Sequence, residues 1–337
     1  MILRFTNSAI LALTLLLTLT GLYGLVFALQ GWAFEVHRWA GWALIALVPW
    51  KSLISLRSLR RGLGRTFDRS AGLLASLGLS AMIIGVGGLG LLWMWQIGPD
   101  GLRLFGWQDS VISWHWMIGL ALLPLFGLHS WRKWPRPKRA ELLSRRGFLA
   151  SAGLAAAGAF GWWGAETLAR ASAIRPRRWT GSREEGSFRG NEFPVTAMVR
   201  DGNPPIDLES WRLRIEGLNS TPLSLSYAEL LDLRQSELVA TLDCTVGWFT
   251  TQRWGGVRLA DLLRVAGVEP LPRLIWLQAV GGYGHLFTPV EAERILLASR
   301  VGGEVLAHRH GFPLRAIVPS RRGWFWVKWL GQVKAVA

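Results

Sequence analysis

The chain contains a single cysteine, Cys244, in the run Ala-Thr-Leu-Asp-Cys-Thr-Val-Gly-Trp at residues 240–248. A lone thiol cannot close an intrachain disulfide, so it is either a small apolar core residue or a reactive or metal-binding group. As a thiolate it would suit a high-valent metal, whose charge would keep it deprotonated. Downstream, His310, Arg315 and Lys328 could supply cations and polar donors to an anionic ligand from one C-terminal run. A second set of candidates, His37, His115 and His129, lies in apolar stretches, where ionisable side chains are functional candidates by default. His115 and His129 are 14 residues apart. At about 3.6 residues per turn they would share one helix face and differ in depth by about 21 Å. His37 begins the second apolar stretch from the same side as His115, so the two could meet at one depth, as bis-histidine haem ligation requires. No histidine stands opposite His129, because the position 14 residues after His37 is Lys51. That lysine could ligate iron, pair with a haem propionate or mark a membrane boundary.

The elements that must position these residues fall into two classes. A length of 337 residues suggests two domains, and half the residues are apolar. Apolar stretches run from Ser8 to Trp32, Trp39 to Pro49, Ala71 to Ile97 and Val111 to Trp131, followed by a weaker Gly/Ala-rich segment from Gly147 to Ala165. The first, third and fourth are long enough to cross a bilayer, which needs about 20 residues. The second crosses if its helix begins near Phe34 and continues to Leu56. The net charge of +16 collects beside these segments, at Lys51–Arg69 and Arg132–Arg146, while the intervening loops are nearly neutral. Cationic loops stay cytoplasmic. The expected topology therefore has a cytoplasmic N-terminus, multiple passes through a bacterial inner membrane, and everything after the fifth segment in the periplasm. Several of the 21 tryptophans flank the helices, as aromatic belts do, and nucleic-acid binding is disfavoured.

Ser144-Arg145-Arg146-Gly147-Phe148-Leu149 resembles the twin-arginine export signal, a Ser/Thr-Arg-Arg-x-Phe-Leu pattern. Two further positive-inside arginines are the plainer reading. That export route carries proteins already folded around a cofactor, which would suit a single-cysteine domain. Ala169-Arg170-Ala171 looks like a cleavage site, but cutting there would sever the two halves, so the segment is expected to stay uncut. Residues 8–131, through His37, His115 and His129, resemble the four-helix membrane cytochromes b that exchange electrons with quinones. The resemblance implies at least one b-type haem, with the second in doubt at Lys51.

From Trp211 onward, short apolar runs alternate with turns, with helical signals at residues 226–233 and 259–267, which indicates a strand-rich α+β domain. Ser172–Pro205 reads as linker merging into a first loop. Cys244-Thr245-Val246-Gly247-Trp248, the run from Trp254 to Leu263, His310-Gly311-Phe312-Pro313-Leu314-Arg315 and Val327-Lys328-Trp329-Leu330 together resemble the molybdopterin domain of the sulfite oxidase family. The resemblance implies an oxidoreductase whose molybdenum is ligated by Cys244, with Asn191, His310, Arg315 and Lys328 contacting the molybdopterin. The expected organisation is a four-helix bundle over 1–134, a basic loop and fifth segment over 135–171, a linker over 172–190 and the molybdopterin domain over 191–337.

Sulfite-oxidising members carry arginines near the metal, but the stretch after Cys244 has none and Arg189 falls one residue from the expected place. The chain also ends soon after Lys334, where sulfite oxidases continue into a dimerisation domain, so a monomer is expected. The exported methionine sulfoxide reductase subunits of the same family are closer in logic. The leading expectation is reduction of an S- or N-oxide such as methionine sulfoxide by oxygen atom transfer, with quinol as electron donor. The alternatives are oxidation of a small substrate such as sulfite with quinone as acceptor, or a cofactor-free binding module on a membrane anchor. Tyr283, His285, Arg321 and Arg322 are candidates to shape the substrate pocket, and a buried arginine pair there would favour an anion.

Overall fold

The computed structural model describes residues 2–27, 30–62, 67–95, 101–133, 144–172, 177–196, 203–217, 222–268, 273–319 and 321–336. The chain divides into two compact units, Met1–Gly181 and Ser182–Ala337.

The first unit is helical: α1 (Ile2–Val26), α2 (Gly31–Gly62), α3 (Phe67–Met94), α4 (Val111–Lys133) and α5 (Arg145–Ala171). Neighbouring helices pack in the order α1–α2–α3–α4, and α1 touches α4, which closes a four-helix bundle. Between α3 and α4 a short hairpin, β1 (Leu102–Leu104) and β2 (Trp107–Asp109), turns at Phe105 and Gly106. Both have positive φ, 52° and 81°, the backbone that a tight two-residue hairpin needs. Among the described residues, three helical stretches are long and apolar enough to cross a membrane: Arg4–Val26, Val111–Trp131 and Arg145–Ala171. The apolar part of α3, Gly78–Met94, is shorter, and α2 does not qualify.

Several boundaries differ from the expected ones, because hydropathy does not mark where a helix starts. The first helix begins at Ile2, taking in Arg4 and Asn7, and ends at Val26 rather than Trp32. The second starts at Gly31, before Phe34, and runs past Leu56 to Gly62. The fifth segment is a full helix, Arg145–Ala171, whose N-cap Ser144 accepts a hydrogen bond from the Gly147 N–H at 3.0 Å. It packs on α2 through small residues: a Cβ at Gly158 or Gly161 would sit 3.0 Å from Trp39, Ala43 or Trp42. Glu166 pins its far end, 3.9 Å from Arg38 and 3.4 Å from Arg177.

The second unit has two sheets. In one, β11 (Glu304–Val305), β10 (Leu296–Val301), β7 (Trp248–Arg258) and β3 (Arg183–Glu184) follow in order, with β6 (Ser236–Asp243) paired to β7 and β12 (Arg315–Ile317) to β10. In the other, the order is β5 (Leu223–Leu225), β4 (Leu213–Glu216), β13 (Leu330–Val336), β8 (Leu274–Ala279) and β9 (Gly284–Phe287). Helices α6 (Tyr227–Asp232), α7 (Leu259–Val265) and α8 (Pro289–Ala292) cover the ends. One hydrophobic cluster, which includes Leu213, Trp254, Leu277, Leu297 and Val333, fills the interior.

The spine is β7, at 11 residues the longest strand, although Thr250, Thr251, Gln252 and Arg253 conceal it from an apolar count. Gly256 lets β10 approach it, since a Cβ there would lie 2.0 Å from the Leu297 carbonyl oxygen. Two expectations are corrected. The stretch 182–190 is not linker: Ser182 and Arg183 are buried and β3 pairs in parallel with β7. The apolar run ending the chain is strand only from Leu330, because Gly323–Phe325 forms a 3₁₀ turn instead.

Candidate functional site

Cys244 lies where β6 turns into β7. Its N–H donates to the Trp248 carbonyl at 2.8 Å and its carbonyl accepts from Gly247, so the hairpin holds the thiol, 6% exposed, at the sheet's end. A cavity of about 490 Å³ opens over it. The thiol donates to Thr196 Oγ1 at 3.5 Å, Trp248 Nε1 donates to the same oxygen at 3.1 Å, and Lys328 Nζ donates to the Thr196 carbonyl at 3.2 Å. Burial pushes the thiol pKa up, against Thr196, the Val246 backbone and Arg322, which favour the thiolate. A metal bound there would reverse that balance.

The expected cofactor residues assemble unequally. His310, Arg315 and Lys328 all line the cavity with Cys244. The HGFPLR run can reach it because Gly311 has φ 114° and passes so close to Lys328 that a Cβ would meet it at 3.0 Å. His310 Nε2 donates to the Asn191 carbonyl at 3.0 Å, and its ring stacks on Phe193 at 3.8 Å between centroids. Burial pushes its pKa down to about 4, with Arg315, Arg309 and Lys328 in the same direction and the Asn191 carbonyl opposing. At neutral pH it is therefore a polar group and not a cation.

Asn191 is not on the cavity wall. Its amide donates to Glu304 and to the Val305 carbonyl and accepts from the Ala307 N–H at 2.8 Å, so it positions the His310 turn from behind. Thr196, Phe193 and Arg309 also line the site. Sequence reasoning missed them, since Thr196 lies in irregular chain and only Arg309, directly before the HGFPLR run, carried a local signal.

The arginines expected to form an anion site are each neutralised. Arg322 donates to Asp243 Oδ1, which also accepts from Ser182 at 2.7 Å, and Arg321 donates to Glu291 at 2.6 Å. Arg189 is exposed. Tyr283 lines the cavity. Its hydroxyl donates to the Trp324 carbonyl at 2.5 Å and accepts from His285 Nε2 at 2.9 Å.

In the first unit, His37 of α2 and His115 of α4 face each other with ring centroids 6.1 Å apart and planes at 73°. Each ring lies against a glycine of the preceding helix, where a Cβ at Gly21 or Gly90 would stand 3.4 Å from its Cε1. Lys51 Nζ donates to Asn7 Oδ1 at 2.8 Å, tying α2 to α1. No contact printed by the structure joins His129 to His37 or His115.

The described wall over Cys244 carries the cations Arg309, Arg315 and Lys328 and no carboxylate. Among the described residues, no group of three or more His, Cys, Asp or Glu side chains could cage a metal ion. A metal at Cys244 would thus depend on an anionic, non-protein group for its other ligands. Residues 201–337 match the model of the oxidoreductase molybdopterin-binding domain. The chain is 33% identical over 144 residues to YuiH of Bacillus subtilis, itself an uncharacterised oxidoreductase, covering 41% of this chain and 71% of that protein.

The chain belongs to the molybdopterin-binding oxidoreductase family.

Chicken sulfite oxidase is 31% identical over 181 residues, covering 43% of this chain and 37% of that protein. YedZ1 of Azospira oryzae, provisionally named a protein-methionine-sulfoxide reductase subunit, is 27% identical over 138 residues, with coverages of 39% and 52%. This chain therefore spans roughly a third to a half of the length of these two relatives. As an oxidoreductase domain for a molybdenum cofactor, the second unit fits its group. Cys244 offers one soft ligand, and Arg315 and Lys328 offer charge to an anionic pterin.

Proposed function

We propose that the protein is a membrane-anchored periplasmic molybdenum oxidoreductase that reduces an S- or N-oxide, such as methionine sulfoxide, with electrons drawn from quinol through a b-type haem. The observation that carries the reading is the wall beside Cys244. Its nearest guanidiniums, Arg321 and Arg322, are committed to Glu291 and Asp243. The wall itself presents Trp248, Tyr283, Trp324 and Trp326. An aromatic wall with neutralised arginines suits a neutral oxide better than an anion such as sulfite. Arg309, Arg315 and Lys328 remain for the anionic cofactor.

When bound, molybdopterin supplies oxygen-atom transfer and haem supplies one-electron exchange. The protein's own groups do the rest. Cys244 anchors the metal, Thr196 and Trp248 fix the thiol's orientation, and the Tyr283 hydroxyl is held by Trp324 and His285 at the substrate side. Reducing one oxide consumes two electrons and two protons and releases water, and one quinol supplies both.

The membrane part of the reading draws on the three apolar helices and on the exposed Arg145 and Arg146 at the start of α5. The haem part draws on the His37–His115 pair, whose 6.1 Å spacing leaves room for one iron between two ring nitrogens at about 2 Å each. The name of YedZ1 agrees with the proposed substrate.

The test is the visible spectrum of purified full-length protein, reduced with a quinol, before and after methionine sulfoxide is added. Reoxidation of a haem band would support both the electron path and the reductase direction. A band that stays reduced would favour oxidation of a small substrate with quinone as acceptor.

A further inference from the structure

His37 and His115 present the same nitrogen to the space between them, and the structure shows why. Val86 places its carbonyl oxygen 2.9 Å from His115 Nδ1. A carbonyl only accepts, so the proton of that ring is on Nδ1 and the Nε2 lone pair is open. On the other side the neighbour is a hydroxyl, which could either donate or accept. Thr20 Oγ1 lies 3.0 Å from His37 Nδ1. The same oxygen lies 2.7 Å from the Leu16 carbonyl and 3.2 Å from that of Leu17. A hydroxyl has one hydrogen, and here it is spent on the helix backbone. Thr20 can therefore only accept from His37, which puts the proton on Nδ1 and leaves Nε2 open there too.

We propose that Thr20 is a positioning residue for an axial haem ligand: its backbone-bonded hydroxyl accepts the Nδ1 proton of His37 and holds Nε2 toward the iron. This rests on the haem reading above. Thr20 is 6% exposed and back-bonded, but that alone would not assign the role. Thr18 makes an equivalent bond to the Thr14 carbonyl at 2.8 Å and is not paired with a histidine by any hydrogen bond in the structure.

An imidazole whose N–H is hydrogen-bonded is a stronger donor to oxidised iron, and losing such a partner typically weakens metal binding about 10- to 100-fold. Thr20→Val keeps the shape and removes the acceptor. In full-length protein purified with its haem, it should raise the haem midpoint potential by up to about a tenfold change in the reduction equilibrium, about 59 mV for one electron, or release haem that the wild type retains. Thr20→Ser should restore the wild-type potential, and Thr18→Val, which removes a matching helix bond, should leave it unchanged. A Thr20→Val protein with wild-type haem content and potential would overturn the role of Thr20 and leave the haem reading standing. A wild-type protein that binds no haem, or a low-spin bis-histidine spectrum that survives His115→Ala, would overturn the haem reading itself.

Discussion

Arg322 and Asp243 form a buried ion pair immediately beside the metal-ligand position: Asp243 is 0% exposed, and the Arg322 guanidinium also reaches the Cys244 carbonyl at 3.3 Å. The pair joins the end of β6 to the segment after β12 and fixes the strand end that presents the thiol. Breaking a buried pair leaves one charge without compensation and costs about 3–5 kcal/mol. Asp243→Ala should lower unfolding stability by about that amount, and the double change Asp243→Ala with Arg322→Met should recover much of it. Denaturant unfolding of the three proteins measures both steps, and equal stabilities for wild type and Asp243→Ala would contradict the arrangement.

Replacing Cys244 by Ser should abolish bound molybdenum and leave the fold intact, since the site changes one atom in a packed hairpin turn. Elemental analysis of purified protein, alongside circular dichroism, provides the check. Wild-type molybdenum content in the variant would remove Cys244 as the ligand.

Gly311→Ala should loosen the cofactor without touching a cofactor contact. At φ 114° an L side chain is strained by about 1–2 kcal/mol, and the new methyl would press on Lys328 at 3.0 Å. The expected result is a lower molybdopterin content at modest loss of stability, read by fluorescence of the released, oxidised pterin.

The histidines should behave differently. Since His37 and His115 face one another, and Lys51 is occupied by Asn7, His37→Ala or His115→Ala should abolish a low-spin haem spectrum. His129→Ala should preserve it. Loss of half the haem in His129→Ala would instead point to a second haem at the Lys51 end.

What the amino-acid sequence determined by itself is what local chemistry encodes. Hydropathy marked the apolar helices, alternation marked β4, β6 and β8, and the spaced Cys244, HGFPLR and VKWL runs pointed to one cofactor-binding family. Helix ends were less legible, because polar residues such as Arg4 and Asn7 are tolerated in a helix that apolarity alone would begin later. The strand β7 was hidden by Thr250, Gln252 and Arg253, whose burial or exposure depends on partners that come from β3, β6 and β10.

Only the tertiary structure decided how charges cancel and which nitrogen each histidine presents. Arg322 reads as an anion-binding arginine until Asp243, 79 residues away, is found against it. Asn191 reads as a cofactor contact until its amide is found spent on residues 304–307. The proton on His37 depends on Thr20, 17 residues away on another helix. Electrostatic compensation and hydrogen-bond saturation are properties of neighbours in space, and a linear sequence does not state who those neighbours are.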